Sequence, residues 1–459
     1  MKRAILLATA LALGGCATSP PAPVGIDYRY VLLGPEGVPV VRVITSAARC
    51  PAIDVDGAST PMTVRMAPAT IPVRPSRADL PAPKPSAFPV LTCEATLSKS
   101  AASASIAGKP LPLPKRNPQR IVLIGDTGCR VVANYDVFQA CNDPTLWPFE
   151  RIADAAAATK PDLVVHVGDY HYREGPCKAD EPGCAGSPWG YGWDAWEADF
   201  FHPARNLLAA APWVVVRGNH ESCNRAGQGW WRFLDPRPLA PRQDCNVAAD
   251  DDIGNYSDAY AVPFGVGSQM LVFDSSWVGL TPLTPADLMY RNYRTQLEQA
   301  FTLGARTPRA WFAVHHPVLG FAPNPDKPQS PYPGNAGLQS VLRSLNGDGL
   351  FPVNVEAVLS GHNHLLQVVD FDALFPPQFI TGNGGDWLDG ALPEPFPPGL
   401  QPAPGAVVAT ILGTSRFGFM TMEPKGTGWS MQAWDVDGKP LTSCMLGERR
   451  AACTPLPKP

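Results

Sequence analysis

Leu163-Val164-Val165-His166-Val167-Gly168-Asp169-Tyr170-His171-Tyr172 is the segment from which the architecture of this chain is best approached. Its short, valine-rich run reads as a strand buried on both faces of a sheet. The run stops at a glycine, and a carboxylate and two tyrosines follow at once. Ligands of open α/β sheets bind just beyond the carboxyl ends of the strands. Asp169 and Tyr172 therefore stand where chemistry is done, and each offers oxygen to a hard, highly charged metal. Taken alone, Gly-Asp after a strand equally describes a turn with a helix cap.

The flanking sequence repeats the pattern. Ile121–Ile124, Leu163–Val167, Trp213–Val216, Met270–Phe273, Trp311–Val314 and Ala357–Leu359 read as apolar strands. Helical periodicity falls between several of them, over Phe149–Thr159, Asp194–Leu208 and Pro285–Phe301. Alternation of this kind requires crossovers and predicts a buried, largely parallel sheet. After Phe379 the chain returns to strands, Arg416–Met422 and Trp429–Trp434, expected to complete a second sheet. Upstream, 28–114 is a series of short alternating runs broken by Gly, Pro and Asp-Gly, a small antiparallel β domain. Leu111-Pro112-Leu113-Pro114 ends it as a stiff linker, and the second domain is expected over 118–459. The 53 prolines of the 459 residues imply long, stiff loops, because apolar and aromatic residues remain plentiful.

The formal net charge is −4 and no basic patch stands out, which argues against nucleic acid as a specific partner. Lys2 and Arg3 precede an apolar segment, Ala4 to Leu13, that is too short for a stable membrane anchor. Leu13-Gly14-Gly15-Cys16 resembles the lipobox of bacterial lipoproteins. That resemblance implies a signal peptide over 1–15, a lipidated Cys16 and a Pro-rich tether over 16–27. It makes the protein an exported lipoprotein, anchored in a membrane and facing the periplasm or the cell surface. Ala17, in place of Asp, favours the outer membrane. An ordinary signal peptide that happens to contain a cysteine is the alternative.

Ten further cysteines fall into sequence-adjacent couples: Cys50/Cys93, Cys129/Cys141, Cys177/Cys184, Cys223/Cys245 and Cys444/Cys453. An oxidising compartment would make these disulfides, with local pairing the simplest arrangement. No Cys-x-x-Cys occurs, so a zinc ribbon fits poorly.

Five of the strands end in groups suited to metals: Gly125-Asp126-Thr127-Gly128, Gly168-Asp169-Tyr170-His171-Tyr172, Gly218-Asn219-His220-Glu221, His315-His316-Pro317 and Gly361-His362-Asn363-His364. Six of the eight histidines lie in these blocks, His171 and five others (220, 315, 316, 362 and 364). Each block alone has an ordinary structural explanation; all five in this order, each at a strand end, do not. Together they resemble the calcineurin-like metallophosphoesterases, and most of all the purple acid phosphatase branch. Many relatives carry Asp-x-His in the first block, whereas Asp126-Thr127-Gly128 has glycine there, and Asp169 and Tyr172 fit the branch's Gly-Asp-x-x-Tyr.

The resemblance implies a four-layer α/β/β/α sandwich behind the small β domain. It assigns one metal to Asp126, Asp169, Tyr172 and His364, and a second to Asp169, Asn219, His315 and His362, with Asp169 bridging. An oxygen-rich site with a phenolate suits Fe(III); the nitrogen-richer one suits Zn, Mn or Fe(II). Two such cations acidify a water and clamp both oxygens of an in-line displacement. The expected activity is hydrolysis of a small phosphorylated substrate, a monoester foremost, by a hydroxide attacking phosphorus. A phosphodiesterase or nucleotidase with the same centre is the alternative within enzymes, and a non-catalytic surface lipoprotein the alternative outside them. His220 is no ligand in this scheme; it is placed to stabilise the transition state or protonate the leaving group, with Glu221 orienting it. His316 could contact phosphate, and His171 the substrate. Trp189, Tyr191, Trp193 and Trp196 could roof the site or pack a helix, and Thr381-Gly382-Asn383-Gly384-Gly385 reads as a tight turn. There is no His-Glu-x-x-His and no Gly-x-Ser-x-Gly, so zincin and serine-hydrolase chemistry are not indicated.

Overall fold

Ile121 and Leu123 face one side of their strand and Val122 and Ile124 the other, and the two pairs belong to different cores. In the computed structural model, which describes residues 25–74, 84–132, 136–372 and 374–456, this alternation organises two large sheets. The first has eleven strands. At its centre Ile121–Ile124, Leu163–His166 and Trp213–Val215 run parallel. The second has seven, with Ser268–Phe273, Arg309–Val314, Val355–Ser360 and Gln378–Thr381 parallel to one another.

Leu123, Val165 and Val214 meet Met270, Trp311 and Leu359 in a core between the sheets. Val122, Val164 and Trp213 point outward, beneath the Phe149–Ala158 and His202–Ala210 helices. On the far side Phe273, Phe312 and Val358 pack under Leu288–Gly304 and Ala336–Asn346. This is an α/β/β/α sandwich. Strands in its interior are apolar on both faces because both faces are covered.

Two features differ from the sequence reading. The tail strands do not complete a second sheet: Gly418–Lys425 pairs antiparallel with Ile121–Ile124, and the next three strands extend the first sheet outward from it. At the opposite edge Ile26–Leu33 pairs in parallel with Trp213–Val215, Leu32 lying opposite Trp213. The strands of 28–114 thus have a core of their own, around Val41, Val43, Ile53 and Leu91, and also continue the eleven-stranded sheet. Buried polar groups lock this junction. The Tyr30 hydroxyl donates to the Phe233 carbonyl (2.9 Å), Arg42 to that of Asp235 (2.7 Å) and Arg65 to that of Trp231 (2.9 Å).

All five cysteine couples form disulfides: Cys50–Cys93, Cys129–Cys141, Cys177–Cys184, Cys223–Cys245 and Cys444–Cys453. Residues 1–24, with the signal segment and Cys16, lie outside the described residues. Among the described residues no helix is long and apolar enough to cross a membrane.

Candidate metal centre

The central strands of both sheets end at one place. The residues that follow them make tight backbone turns there. Asp126 (φ 56°), Asp169 (φ 57°) and His362 (φ 69°) all adopt the left-handed region, which is costly for a side-chain-bearing residue and clusters at functional sites. The preceding glycines allow the crowding this produces. A Cβ on Gly361 would stand 2.2 Å from Asp126 Oδ2, and one on Gly218 2.1 Å from Asp169 Oδ1.

The seven side chains proposed as ligands converge. The Tyr172 hydroxyl oxygen lies 3.0 Å from Asp126 Oδ1, 2.9 Å from Asp169 Oδ2 and 3.0 Å from His364 Nε2. Asn219 Oδ1 lies 3.1 Å from His315 Nε2 and 2.9 Å from His362 Nδ1. Asp169 Oδ2 joins the two groups, since it is also 3.1 Å from His315 Nε2. Donor atoms of Asp169, His315 and His362 all fall within 4.8 Å of one another.

Hydrogen bonds fix which imidazole nitrogen faces the cluster. His315 Nδ1 is 2.8 Å from the Val167 carbonyl and His364 Nδ1 is 2.9 Å from the Trp387 carbonyl, which turns Nε2 of both rings inward. Asp126 and Asp169 are buried carboxylates. Burial raises the Asp126 pKa, and burial would raise that of Asp169 too, but His315 and His220 hold it well below the ordinary carboxylate range. In the same way burial pulls His315 and His364 down, yet Asp169 lifts the former to about 9 and Asp386 the latter to about 9. Imidazoles thus carry the positive charge that these buried acids require. A donor set of carboxylates, a phenol, an amide oxygen and inward-facing imidazoles fits a pair of cations: Asp126, Asp169, Tyr172 and His364 could hold one, and Asp169, Asn219, His315 and His362 the other.

Around this set the roles differ from the sequence reading. Glu221 does not orient His220. Its carboxylate accepts from the backbone amides of Asp169 (3.1 Å), Tyr170 (2.9 Å) and Gly218 (3.1 Å), tying the second and third blocks together. Burial, and then the Asp169 carboxylate, push its pKa up to about 8. His220 is instead flanked by Arg225, whose Nη2 is 2.7 Å from its Nε2, and by Glu174, 3.4 Å from its Nδ1. Burial, then Arg225, lower the His220 pKa to about 4. The backbone amide of His220 donates to Asp169 Oδ1 (2.8 Å).

Four more residues carry no signal that the sequence reading used. Arg130 grips Asp386 through Nε (3.0 Å) and Nη2 (2.5 Å), and its guanidinium lies 4.8 Å from the centre of the Tyr172 ring. Asp386 Oδ2 is in turn 3.1 Å from His364 Nδ1. Asp199 accepts from the amides of Cys129 (3.0 Å), Tyr172 (2.7 Å) and Arg173 (3.0 Å), and from Arg173 Nε (2.6 Å). Thr381–Gly385 is more than a turn. Gly384 donates to the Gly125 carbonyl (3.0 Å), and Gly382 packs so closely on Asn363 that a Cβ would stand 2.1 Å from its carbonyl oxygen. A lone glycine-rich run ending in Asp386 was the one available hint.

His316 reaches the rim of the centre. Its ring lies 4.3 Å from that of His362, and its Nδ1 is 2.9 Å from Ser275 Oγ. His171 does not join the cluster; it is fully buried between the rings of Tyr191 and Trp196 (5.7 and 5.6 Å), where burial lowers its pKa, so substrate contact through it is excluded. Trp193 and Trp196 pack on Phe201 and Phe233 in the outer core and do not roof the site. His166 is buried packing, stacked 3.9 Å from Tyr170.

No curated protein sequence matches the chain. Among solved structures, it is similar to a purple acid phosphatase, PPD1, from yellow lupin (Lupinus luteus) seeds. That pair shares 14% identity with a TM-score of 0.56, over 92% of this chain and 74% of the other. It is likewise similar to PhoD, with 11% identity and a TM-score of 0.55, over 96% of this chain and 94% of the other. At such identities the likeness is one of fold. The Calcineurin-like phosphoesterase family matches residues 119–366, more than half of the chain and all five blocks up to His364. The chain therefore belongs to the calcineurin-like phosphoesterase family and is a metal-dependent hydrolase of phosphoesters.

Proposed function

We propose that this enzyme hydrolyses phosphate monoesters at a dinuclear centre. The observation that carries the reading is the position of Asp169 Oδ2, about equally near Tyr172 Oη (2.9 Å) and His315 Nε2 (3.1 Å), where one carboxylate can serve both halves of the ligand set. A cation pair bound there supplies Lewis acidity and lowers the pKa of water. The oxygen-rich half, with Tyr172, suits Fe(III), and the half formed by Asn219, His315 and His362 suits Zn, Mn or Fe(II). His220 and Arg225 stand beside this set. Arg225 supplies fixed positive charge for a phosphoryl group, and His220 supplies a nitrogen able to hold or pass a proton at the leaving oxygen.

The same reading makes the protein an exported lipoprotein tethered through Cys16, facing the periplasm or cell surface. What supports export is the set of five disulfides, together with the charged and apolar segments that precede Cys16. Metal analysis of the purified protein, combined with rates on phosphomonoesters, phosphodiesters and nucleotides, tests the proposal. Turnover of diesters with monoesters untouched would overturn the monoesterase assignment.

A further inference from the structure

Beside the histidine-rich half of the centre lies a cleft of about 340 Å³. His316 and His362 line it on the side of the centre to which they belong, together with Leu280, Pro317, Tyr332 and Pro333. Two of these are large apolar side chains left open to solvent, Leu280 at 75% and Tyr332 at 51% exposure. Tyr332 is not on a loose loop. It exchanges two backbone hydrogen bonds with Ala322 (2.9 and 2.8 Å), and nearby the Asn335 amide donates to the Pro317 carbonyl (2.9 Å). Among the described residues, no lysine, arginine, aspartate or glutamate lines the cleft.

We propose that this cleft holds the alcohol portion of the substrate, with Tyr332 and Leu280 selecting an uncharged, ring-bearing group. The inference rests on the phosphoesterase reading for the position of the phosphoryl group next to His362. A flat ring entering the cleft offsets against the Tyr332 ring and removes apolar wall from water. A polyphosphate or a second acidic group would be desolvated there with no cation to meet it. A small aliphatic alcohol would leave both apolar side chains wet.

Phenylphosphonate and methylphosphonate carry the same anionic group and differ in the ring, and neither has an ester bond to cleave. Their affinities for the metal-loaded protein are measured by calorimetry, alongside hydrolysis of 4-nitrophenyl phosphate. The wild type is expected to bind phenylphosphonate about tenfold more tightly than methylphosphonate. Tyr332→Ala and Leu280→Ala are each expected to bring that ratio toward one, and Tyr332→Phe to keep most of it; melting curves report that the variants fold. No binding of either compound, equal affinities in the wild type, or a ratio unaltered in both alanine variants overturns the proposal. A wild type that shows the ratio yet hydrolyses no phosphoester leaves the cleft's preference standing and removes the phosphoesterase reading instead.

Discussion

Arg225 and His220 are paired side chain to side chain, with Arg225 Nη2 2.5 Å from Nδ1 and 2.7 Å from Nε2 of the imidazole. The guanidinium is itself fixed by Glu174, which accepts from its Nε (2.5 Å) and Nη2 (2.8 Å). A cation held this close disfavours a second positive charge on the ring. The acid or hydrogen-bonding role of His220 is thus exercised from a largely neutral ring, and the fixed charge comes from Arg225.

Replacing His220 with alanine is expected to lower kcat by about 10²–10⁴ while metal content stays constant. Arg225→Gln, which removes the charge and keeps an amide, is expected to cost about 10². Steady-state kinetics with metal analysis of each variant checks both. Metal lost from the His220 variant would move that residue into the ligand set.

Glu221 holds three amides of the second and third blocks, so its removal loosens where Asp169 and Asn219 sit. Glu221→Ala is expected to weaken metal retention about 10–100-fold, the usual effect of losing a partner that orients a ligand. Dialysis against graded chelator measures this. Full retention with only a lowered kcat would show that Glu221 acts on His220 after all.

Tyr172 tests the proposed iron. Protein purified with Fe(III) in the oxygen-rich half should be coloured by charge transfer from the phenolate, and Tyr172→Phe should bleach it. A colourless, fully active enzyme containing only Zn or Mn would discard the iron assignment and leave the family untouched.

Asp199 is buried and pairs with buried Arg173 while holding amides on either side of the first and second blocks. Asp199→Ala leaves that arginine without its partner, which typically costs about 3–5 kcal/mol. Urea unfolding gives the figure. A loss below about 1 kcal/mol would mean that water replaces the carboxylate freely.

Acid sensitivity should come in part from Asp235. Burial would raise its pKa, but Arg237, whose Nε lies 3.1 Å from it, holds the carboxyl below its ordinary value. A depressed folded-state pKa means that the unfolded chain takes up the proton first. The stabilisation is therefore whole above the ordinary aspartate pKa of about 3.9 and fades as pH falls through the lower folded value. Asp235→Asn should be less stable than wild type at pH 7, and the two unfolding midpoints should converge towards pH 3. Parallel curves would assign the acid loss to other groups.

The ligands were legible because an apolar strand is followed at once by a metal-binding side chain, after a glycine in four of the five blocks and directly after Val314 in the case of His315. The disulfides were legible because their partners are neighbours in sequence. Arg225, Glu174, Arg130, Asp386 and Asp199 were not, since a single charged residue in a loop or on a helix has no period and no fixed spacing from its partner. Glu174 and Arg225 are 51 residues apart, and Arg130 and Asp386 are 256 apart. His171 was misplaced because nearness to the motif in sequence does not state which side chains, here Tyr191 and Trp196, enclose it in the fold. The tail strands went to the wrong sheet for a related reason. A strand's pattern states that it will pair, and only the tertiary fold states with which neighbour.

The parallel contact of Leu32 with Trp213 bears on how the protein can be handled. Were the first hundred or so residues trimmed away to isolate the catalytic part, Trp213–Val215, the strand that leads to Asn219, would become a bare flank with open amides and carbonyls. Such a fragment would gain a surface that invites self-association, beside one of the groups it needs to bind metal. The amino-terminal strands are in this sense a sealing edge for the sheet, and a shortened protein should be expected to clump before it can be assayed.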